Sequence, residues 1–469
     1  MSLMSREFRD TTRYSMSRNA VAATWSISFE KIQNTDPFAG DILAFVSQIE
    51  SKAIPRSMFQ GLGGLEQLAS AIGTLCAYRF LTRRHDDMYD MHSLVHLATR
   101  LWIDNRGLTL ATTGKALKQL VAVFPPPDYA NRATWRNYLP HAFSVLQSQG
   151  EIRCRESCNL FASLGGCLGV DGRTDGAVNC WEQVHDWTER NLAEDDKFRI
   201  ASQSSLAKAY RADGQVPNAV ALLEQVLSTR SRLLPGDHAE LLSAQHTLAI
   251  ALRADGSTRR ATKLLEHVVS VRNKTLQRDH PDRLAVQHTL ARAYEAEGRI
   301  QEATEMLEEV LELRNQTLAE DNPDRLATEH VLGGIYSLNG QATRGILLLE
   351  HAVDIRLRTL HEDHPDLLAT QHTLAKGYIN VGRTGQAISL LENIVSRRRR
   401  TLTVTHPNRL ASEHTLGRAY HADGQIKKGI NILKHVVLLR EQTLSGEHPS
   451  LLESRDALAL ARESERKTD

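Results

Sequence analysis

The sequence is poor in the features that mark several large classes of protein. Only 5% of its 469 residues are aromatic, which disfavours a β-sandwich and suits helices packed through Leu and Ala. Its formal net charge is +1, so no overall attraction to nucleic acid or to an anionic membrane is expected. No apolar stretch reaches the roughly 18 residues that a membrane-spanning helix needs. These absences favour a helical protein with neither a membrane span nor a nucleic-acid partner.

Cysteine is also sparse, and its spacing excludes the common metal and disulfide patterns. The chain has five cysteines and no CxxC pair. We therefore expect reduced thiols in a cytoplasmic protein, with no metal site and no cofactor. The first residues, MSLMSREFRDTTR, lack an apolar core, so we expect a disordered tail over residues 1–20 and not a secretory signal.

A period of 42 residues organises the second half of the chain. One position of this period is a histidine at His246, His288, His330, His372 and His414. A glycine recurs at Gly214, Gly256, Gly298, Gly340, Gly382 and Gly424. An arginine recurs at Arg230, Arg272, Arg314, Arg356, Arg398 and Arg440. A fixed period of this length is the signature of a solenoid.

Each period contains two helical patterns. The second one has a full apolar stripe, for example Ala303, Met306, Leu307, Val310 and Leu311. The recurrent glycine lies between the patterns, where a left-handed residue ends the first helix. A proline such as that at 281 opens the next unit, as suits the first position of a helix. We therefore predict stacked pairs of antiparallel helices.

These repeats resemble tetratricopeptide repeats in a 42-residue form, and most closely those of kinesin light chains, which carry L-x-x-D-H-P between units. The resemblance implies an all-α fold, a right-handed α-solenoid. We expect one degenerate and six clear repeats over residues 159–452, followed by a capping helix and tail over residues 453–469.

The first part of the chain shows a different pattern. Several amphipathic helices, one of them from Leu65 to Tyr78, precede a short β-hairpin that spans residues 79–91 and a further helix from His92 to Trp102. This order predicts a small winged-helix-like domain over residues 21–124. A proline run at residues 125–127 then marks a boundary, and residues 125–158 are expected to form a helical bridge. The helix over residues 65–78 has no Lys or Arg, which disfavours DNA binding.

Several motifs of this domain resemble the tail of the NB-ARC module in fungal NOD-like (STAND) receptors. They are WSISFEKI (residues 25–32), DPFAGDILAFV (36–46), and DMHSLVHLATR (90–100). The resemblance places His92 where that family has a histidine that senses the β-phosphate of bound ADP. However, Ser93 replaces the family's aspartate, and no GxxxxGK[ST] loop occurs in the sequence. We therefore expect the domain without nucleotide binding of its own, in association with a nucleotide-binding switch domain.

The histidine column is the main candidate for a binding site. The tetratricopeptide resemblance implies that these histidines point into the concave groove of the solenoid. Around them we expect a mostly basic trough, formed by Lys208, Arg211, Arg253, Arg292, Lys376 and Arg418, against Glu295. Such a trough would bind an acidic or phosphorylated extended segment through charge-assisted hydrogen bonds.

Two other interpretations of the recurrent polar residues are weighed against this one. The histidines could instead make hydrogen bonds between repeats and bind nothing. A shared metal ion is disfavoured because successive repeats are roughly 10 Å apart, whereas Zn–N bonds are about 2 Å long. The arginine column is expected to be structural, paired with acidic residues of the following loop such as Asp279 and Asp321.

No catalytic constellation stands out, so we predict a non-catalytic scaffold for protein–protein interaction. The leading hypothesis is the ligand-sensing repeat half of a fungal STAND receptor that lacks its nucleotide-binding core. The alternative is a cargo adaptor like kinesin light chain. That alternative predicts an N-terminal heptad coiled coil, and residues 1–150 show none.

Overall fold

A computed structural model describes residues 15–128, 131–149, 154–444 and 446–468. Within these ranges the chain is almost entirely helical, with one small sheet. None of the described helices is long and apolar enough to cross a membrane. The described residues form two compact units: one comprises the residues up to Asp171 with Asn179–Trp187, and the other Gly172–Val178 with Thr188 onwards.

The first unit begins with a helix that reaches into the expected tail. A disordered tail is expected over residues 1–20; residues 1–14 lie outside the described part, and helix α1 runs from Ser15 to Thr35. Residues 15–20 are therefore helical, which corrects that prediction. They contain neither Pro nor Gly, so nothing in this stretch breaks the helix that the apolar residues further on require.

The rest of this unit follows the order of a winged-helix domain. Its elements are α2 (Pro37–Gln48), β1 (Ile54–Pro55), α3 (Leu65–Ala77), β2 (Leu81–Arg83), β3 (Met88–Met91), α4 (Ser93–Asn105), α5 (Thr109–Val123), α6 (Arg132–Gln149) and α7 (Arg155–Val170). The expected hairpin is in fact a three-stranded antiparallel sheet with β3 in the middle. The strand β1 was hidden in the sequence because it has only two residues.

Apolar side chains from both ends of this domain meet in one core. Phe29, Ile42, Phe59 and Met91 are almost completely buried, and the rings of Phe29 and Phe80 lie 5.2 Å apart. Asp36 caps α2 by accepting a hydrogen bond from the backbone of Ala39, as its position before Pro37 predicts.

The repeats continue as pairs of helices, here named A and B. After α8 (Thr174–Asn191) come α9 (Lys197–Asp213), α10 (Val216–Leu233), α11 (Ala239–Ala254), α12 (Thr258–Thr275), α13 (Pro281–Ala296), α14 (Ile300–Thr317), α15 (Pro323–Leu338), α16 (Ala342–Thr359), α17 (Pro365–Asn380), α18 (Thr384–Thr401), α19 (Pro407–Ala422), α20 (Ile426–Thr443) and α21 (Pro449–Thr468). Odd-numbered helices from α9 onwards are A helices, and even-numbered ones are B helices.

The helix boundaries recur because the same residues start and stop each unit. Most A helices begin with a histidine whose Nδ1 accepts a hydrogen bond from the backbone two residues on, as His280 does from Asp282 at 3.2 Å. Each A helix from α9 to α19 is followed by a glycine with positive φ, such as Gly298 at +78°. The predicted glycines and prolines therefore lie at the helix ends and helix starts of the structure.

A helices line the inner face of the array. Each A helix contacts the next A helix, whereas grooves open between successive B helices, for example between α18 and α20 above Tyr420. We call the side of the A helices that lies away from the B helices the inner face. That the histidine column lies on this face stays a prediction from the tetratricopeptide resemblance. We call α9–α14 the front repeats and α15–α20 the back repeats.

The arginine column holds each B helix to the A helix that follows it. Arg314, 4% exposed, donates to the carbonyl oxygen of Asp324 at 2.6 Å and to the hydroxyl of Thr328 at 2.5 Å. Its counterparts also donate to the second residue of the next A helix. The column is structural, but its partners are backbone carbonyls and not the acidic loop residues that we expected. The buried guanidinium group donates to the start of the next A helix and not to the loop between the two helices.

Repeats that are far apart in the sequence also contact each other. The ring of His406 bonds the carbonyl oxygen of Ala212 at 2.8 Å, across 194 residues. Pro407 packs so closely on Gly214 that a Cβ there would lie 2.5 Å from its Cδ. Gly172 and Gly256 meet Pro365 and Pro449 in the same way. The start of an A helix therefore packs against the glycine turn of an earlier repeat.

The inner face of the repeats

The five histidines of the column lie at the eighth position of their A helices. Four are half-buried, and His414 is only 6% exposed. Burial lowers the pKa of His246 to about 4 and those of His288, His330 and His414 to about 3, and it holds that of His372 well below the usual range. All five are therefore neutral rings at physiological pH.

Four of the histidines find a hydroxyl group on the next A helix. His246 Nε2 lies 2.8 Å from Thr289 Oγ1, and His372 Nε2 lies 2.8 Å from Thr415 Oγ1. His330 and His414 use Nδ1 instead, at 3.0 Å from the hydroxyls of Thr370 and Ser454. These contacts are the hydrogen bonds between repeats that the second interpretation anticipated.

His288 is the exception. Its ring bonds the backbone carbonyl of Ala327, and its Nε2 is buried without a hydrogen-bond partner. The residue that would supply a hydroxyl, by analogy with Thr289 and Thr415, is Val331. This unused nitrogen lies on the same helix face as Arg292, one turn further on.

The basic residues beside the column are not paired. Lys208, Arg211, Arg253 and Arg292 in the front repeats, and Lys376 and Arg418 in the back repeats, form no side-chain hydrogen bond or ion pair with any described residue. By contrast, most exposed arginines of the B helices do, for example Arg260 with Glu224 at 2.8 Å. The predicted basic residues thus remain available for a ligand.

Three arginines of the front repeats act on one another. Arg292 lowers the pKa of Arg253 to about 9, a larger effect than burial at that residue. Burial and then Arg292 lower the pKa of Arg211. Glu295 partly offsets this, because it raises the pKa values of Arg253 and Arg292. We call Arg211, Arg253 and Arg292 the front arginine cluster.

The back repeats have no such cluster. Lys376 and Arg418 are exposed at the twelfth position of α17 and α19. The corresponding position of α15 is Gly334, and the place of Glu295 is taken by Ser337 and Ile379. The expected trough is therefore uneven, with its charge concentrated toward the front repeats.

His92 in the winged-helix domain has a local role. It precedes α4, and its Nδ1 accepts a hydrogen bond from the backbone of Leu94 at 3.2 Å, which caps the helix. The side chain is exposed. A function in nucleotide sensing stays a prediction.

The hydroxyl partners of the histidines were missed in the sequence, although a signal was present. Thr or Ser occupies the ninth position of α9, α11, α13, α17 and α19, and Val331 and Ala457 break this row. This row of hydroxyls would have predicted the bonds of His246 and His372, whereas the partners of His330 and His414 lie at the sixth position of the next A helix. In the described residues, no group of three or more His, Cys, Asp or Glu side chains is placed to hold a metal ion.

Comparison with known proteins identifies the repeats. The tetratricopeptide repeat family matches residues 198–274, 239–316 and 326–366. The repeats are thus tetratricopeptide repeats in an all-α fold, as the sequence predicted.

A relative with a longer chain is similar to part of this one. A nucleotide-binding leucine-rich repeat (NLR)-like protein of Hyaloscypha variabilis is 39% identical over 148 residues, which cover 31% of this chain and 15% of that protein. The matched stretch is therefore a small part of that relative.

Two solved structures are also similar. A putative kinesin light chain of Podospora anserina with nearly identical TPR-like repeats is 44% identical, over 43% of this chain and 96% of that one, with a TM-score of 0.35. A signal transduction ATPase with numerous domains (STAND) from Pyrococcus horikoshii, with a tetratricopeptide repeat sensor, is 12% identical, over 94% of this chain and 62% of that one, with a TM-score of 0.47.

Proposed function

We propose that this tetratricopeptide-repeat chain binds an acidic or phosphorylated protein segment on the inner face of its front repeats. The observation that carries the proposal is the set of unpaired cations there, Lys208 and the front arginine cluster. Unpaired guanidinium groups that repel one another gain most from an anion, because charge-assisted hydrogen bonds are among the strongest in proteins.

The histidines contribute unequally to this binding. His246, His330, His372 and His414 already bond neighbouring repeats, so their main role is to set the spacing of the A helices. His288 keeps one ring nitrogen free beside Arg292. We assign ligand contact to His288 and the cations, and support to the other four histidines.

Peptide binding to the full chain tests the proposal. Fluorescence polarisation with a pool of acidic peptides, with and without phosphoserine, should identify binders that lose at least about tenfold in affinity with the double variant His288→Ala, Arg292→Ala. The double variant Arg259→Ala, His435→Ala removes the same residue types from exposed B-helix positions and serves as the control. Equal affinities for the two double variants would reject the inner face as the site.

The larger role that we propose is that of the sensing half of a STAND receptor. The winged-helix order of the first unit and the NLR-like relative support this. In such a protein, ligand binding on the repeats would be relayed to a nucleotide-binding switch domain, with His92 at the approach to the nucleotide. The chain itself would be a non-catalytic scaffold.

Mapping the 5′ end of the transcript separates this role from that of a cargo adaptor. An in-frame P-loop sequence ahead of residue 1 would support the receptor. A stop codon directly ahead of Met1 would contradict the receptor and favour an adaptor like kinesin light chain.

A further inference from the structure

We propose that the front arginine cluster binds one phosphate dianion, carried either by a phosphorylated side chain or as a terminal group of a free polyphosphate. This inference rests on the proposed function, since it names the ligand chemistry of the same face. It goes further because it assigns a compact anion that is bound by three guanidinium groups from three successive A helices. An acidic segment in general would need only positive charges spread along the face.

The three arginines converge from different repeats. Arg211 and Arg253 are at the fifteenth position of α9 and α11, and Arg292 is at the twelfth position of α13. Helix α11 contacts both α9 and α13, and the charges of Arg211, Arg253 and Arg292 act on one another across these contacts. The bond from His246 to Thr289 at 2.8 Å holds α11 and α13 in this register.

Two buried nitrogens, one in the cluster and one in a neighbouring histidine, also lack partners. They are Nε of Arg253 and Nε2 of His288. Buried polar groups without a hydrogen bond are uncommon and costly, and here two of them lie with unpaired cations on one face. An oxygen of the ligand would accept a hydrogen bond from Arg253 Nε. The neutral ring of His288 already donates to Ala327, so its Nε2 carries a lone pair and needs a donor, such as a backbone N–H of a bound peptide.

The charge of the site matches a dianion and exceeds that of one carboxylate. Three arginines and Glu295 sum to a net charge of +2. A phosphate monoester carries a charge of about −1.5 to −2 at neutral pH and three acceptor oxygens, enough for three guanidinium donors. A carboxylate has one negative charge and two oxygens, which suit a single bidentate arginine.

Pyrophosphate is the simplest probe for the site. Isothermal titration of the full chain at low ionic strength should show one site per chain. Arg253→Gln and Arg292→Gln should each weaken binding at least about tenfold, whereas Arg259→Gln on the outside should leave it unchanged. Glu295→Gln should tighten binding, because it removes the one negative charge of the site.

Peptides then distinguish the two sources of the phosphate. A phosphoserine peptide that competes with pyrophosphate, while its unphosphorylated form does not, identifies a modified protein as the ligand. Phosphoserine peptides that fail to compete identify a free polyphosphate. Arg211 is exposed, so Arg211→Gln provides a variant that should fold even if Arg292→Gln does not.

The inference and the proposed function can fail separately. No heat of pyrophosphate binding, or equal affinity in Arg211→Gln, Arg292→Gln and Arg259→Gln, would overturn the dianion site. If acidic unphosphorylated peptides still bound and still required Arg292, the proposed function would survive that result. If no peptide bound but pyrophosphate did, only the dianion site would stand.

Discussion

In the back repeats, His330, His372 and His414 each meet a hydroxyl group of the next A helix, whereas in the front repeats Nε2 of His288 is buried without a hydrogen-bond partner. The two regions share one helical register and the same histidine column. They differ in what surrounds it. The back repeats satisfy every ring of the column and have isolated cations, and the front repeats leave one ring nitrogen free beside three converging arginines.

This difference indicates how a repeat protein separates architecture from binding. A residue that recurs with its partner in every repeat can be explained by stacking alone. A residue whose partner is missing in one repeat cannot be explained by stacking alone. The free-energy cost of its unsatisfied polar group must be offset by another interaction. The irregular positions, which are the front arginine cluster and Val331 in the adjoining helix α15, are therefore better guides to a ligand than the regular histidine column.

Acidification should have the largest effect on stability, and it should destabilise the back repeats before the front repeats. The five column histidines have lowered pKa values in the folded state, so the unfolded chain takes up their protons first as the pH falls below about 6.5. Stability is present above that pH and is lost toward lower pH, by about 1.4 kcal/mol per pH unit for each such histidine. Urea unfolding at pH 7.5 and 5.5 measures the loss.

Hydrogen exchange locates the same loss. The back repeats contain three of the five histidines, so their amide exchange should accelerate before that of the front repeats. Equal stability at the two pH values, or acceleration that starts in the winged-helix domain, would contradict this assignment.

Removing one shared hydroxyl should destabilise the back repeats strongly. Thr370 accepts hydrogen bonds from the buried Arg356 and contacts His330, so Thr370→Val should cost about 3 kcal/mol of unfolding free energy. Thr328 is equally buried but serves Arg314 and no column histidine. Thr328→Val is the matched control and should cost less. Equal costs from chemical denaturation would mean that the histidine bond contributes nothing.

The contact between the front and back repeats should be sensitive to one methyl group. Gly214→Ala places a Cβ against Pro407, whereas Gly298→Ala meets nothing within 4 Å. Both substitutions cost about 1 kcal/mol for the left-handed backbone, which has a φ of +86° at Gly214 and +78° at Gly298. Only Gly214→Ala should cost more than that and increase the radius of gyration in small-angle scattering. The same radius of gyration in both variants would show that the contact between Gly214 and Pro407 does not hold the front and back repeats together.

The smallest effect should come from giving His288 the hydroxyl partner that the other four column histidines have. Val331→Thr supplies the hydroxyl that His288 lacks and should stabilise the chain by up to about 1 kcal/mol. Thr289→Val removes the corresponding partner of His246 and should destabilise it by about 1–2 kcal/mol. Thermal unfolding of the two variants checks the opposite signs. Destabilisation by Val331→Thr would show that the His288 nitrogen is not short of a partner.

Much of the fold could be predicted from the sequence because the repeat is strict. The glycine and proline punctuation, the apolar stripes and the position of His288 all follow from local rules that the structure obeys. The carbonyl partners of the arginine column could not be predicted, because they depend on how one helix pair packs on the next. The strand Ile54–Pro55 was missed because two residues carry no periodic signal.

For the site, the residue types could be predicted but their grouping could not. Arg211, Arg253 and Arg292 stand at two different helix positions in three repeats, so their convergence depends on the packing of the A helices. Likewise, the contact of His406 with Ala212 joins residues 194 apart, and no local pattern indicates it.

Chemical modification of arginine side chains tests the central claim most directly. Phenylglyoxal reacts with accessible guanidinium groups, and mass spectrometry reports the rate at each residue of the full chain. We predict that saturating pyrophosphate slows modification of Arg211, Arg253 and Arg292 at least about tenfold and leaves the exposed Arg259 unchanged. Unchanged rates at all four residues, or the same slowing at Arg259, would contradict a binding site in the front repeats.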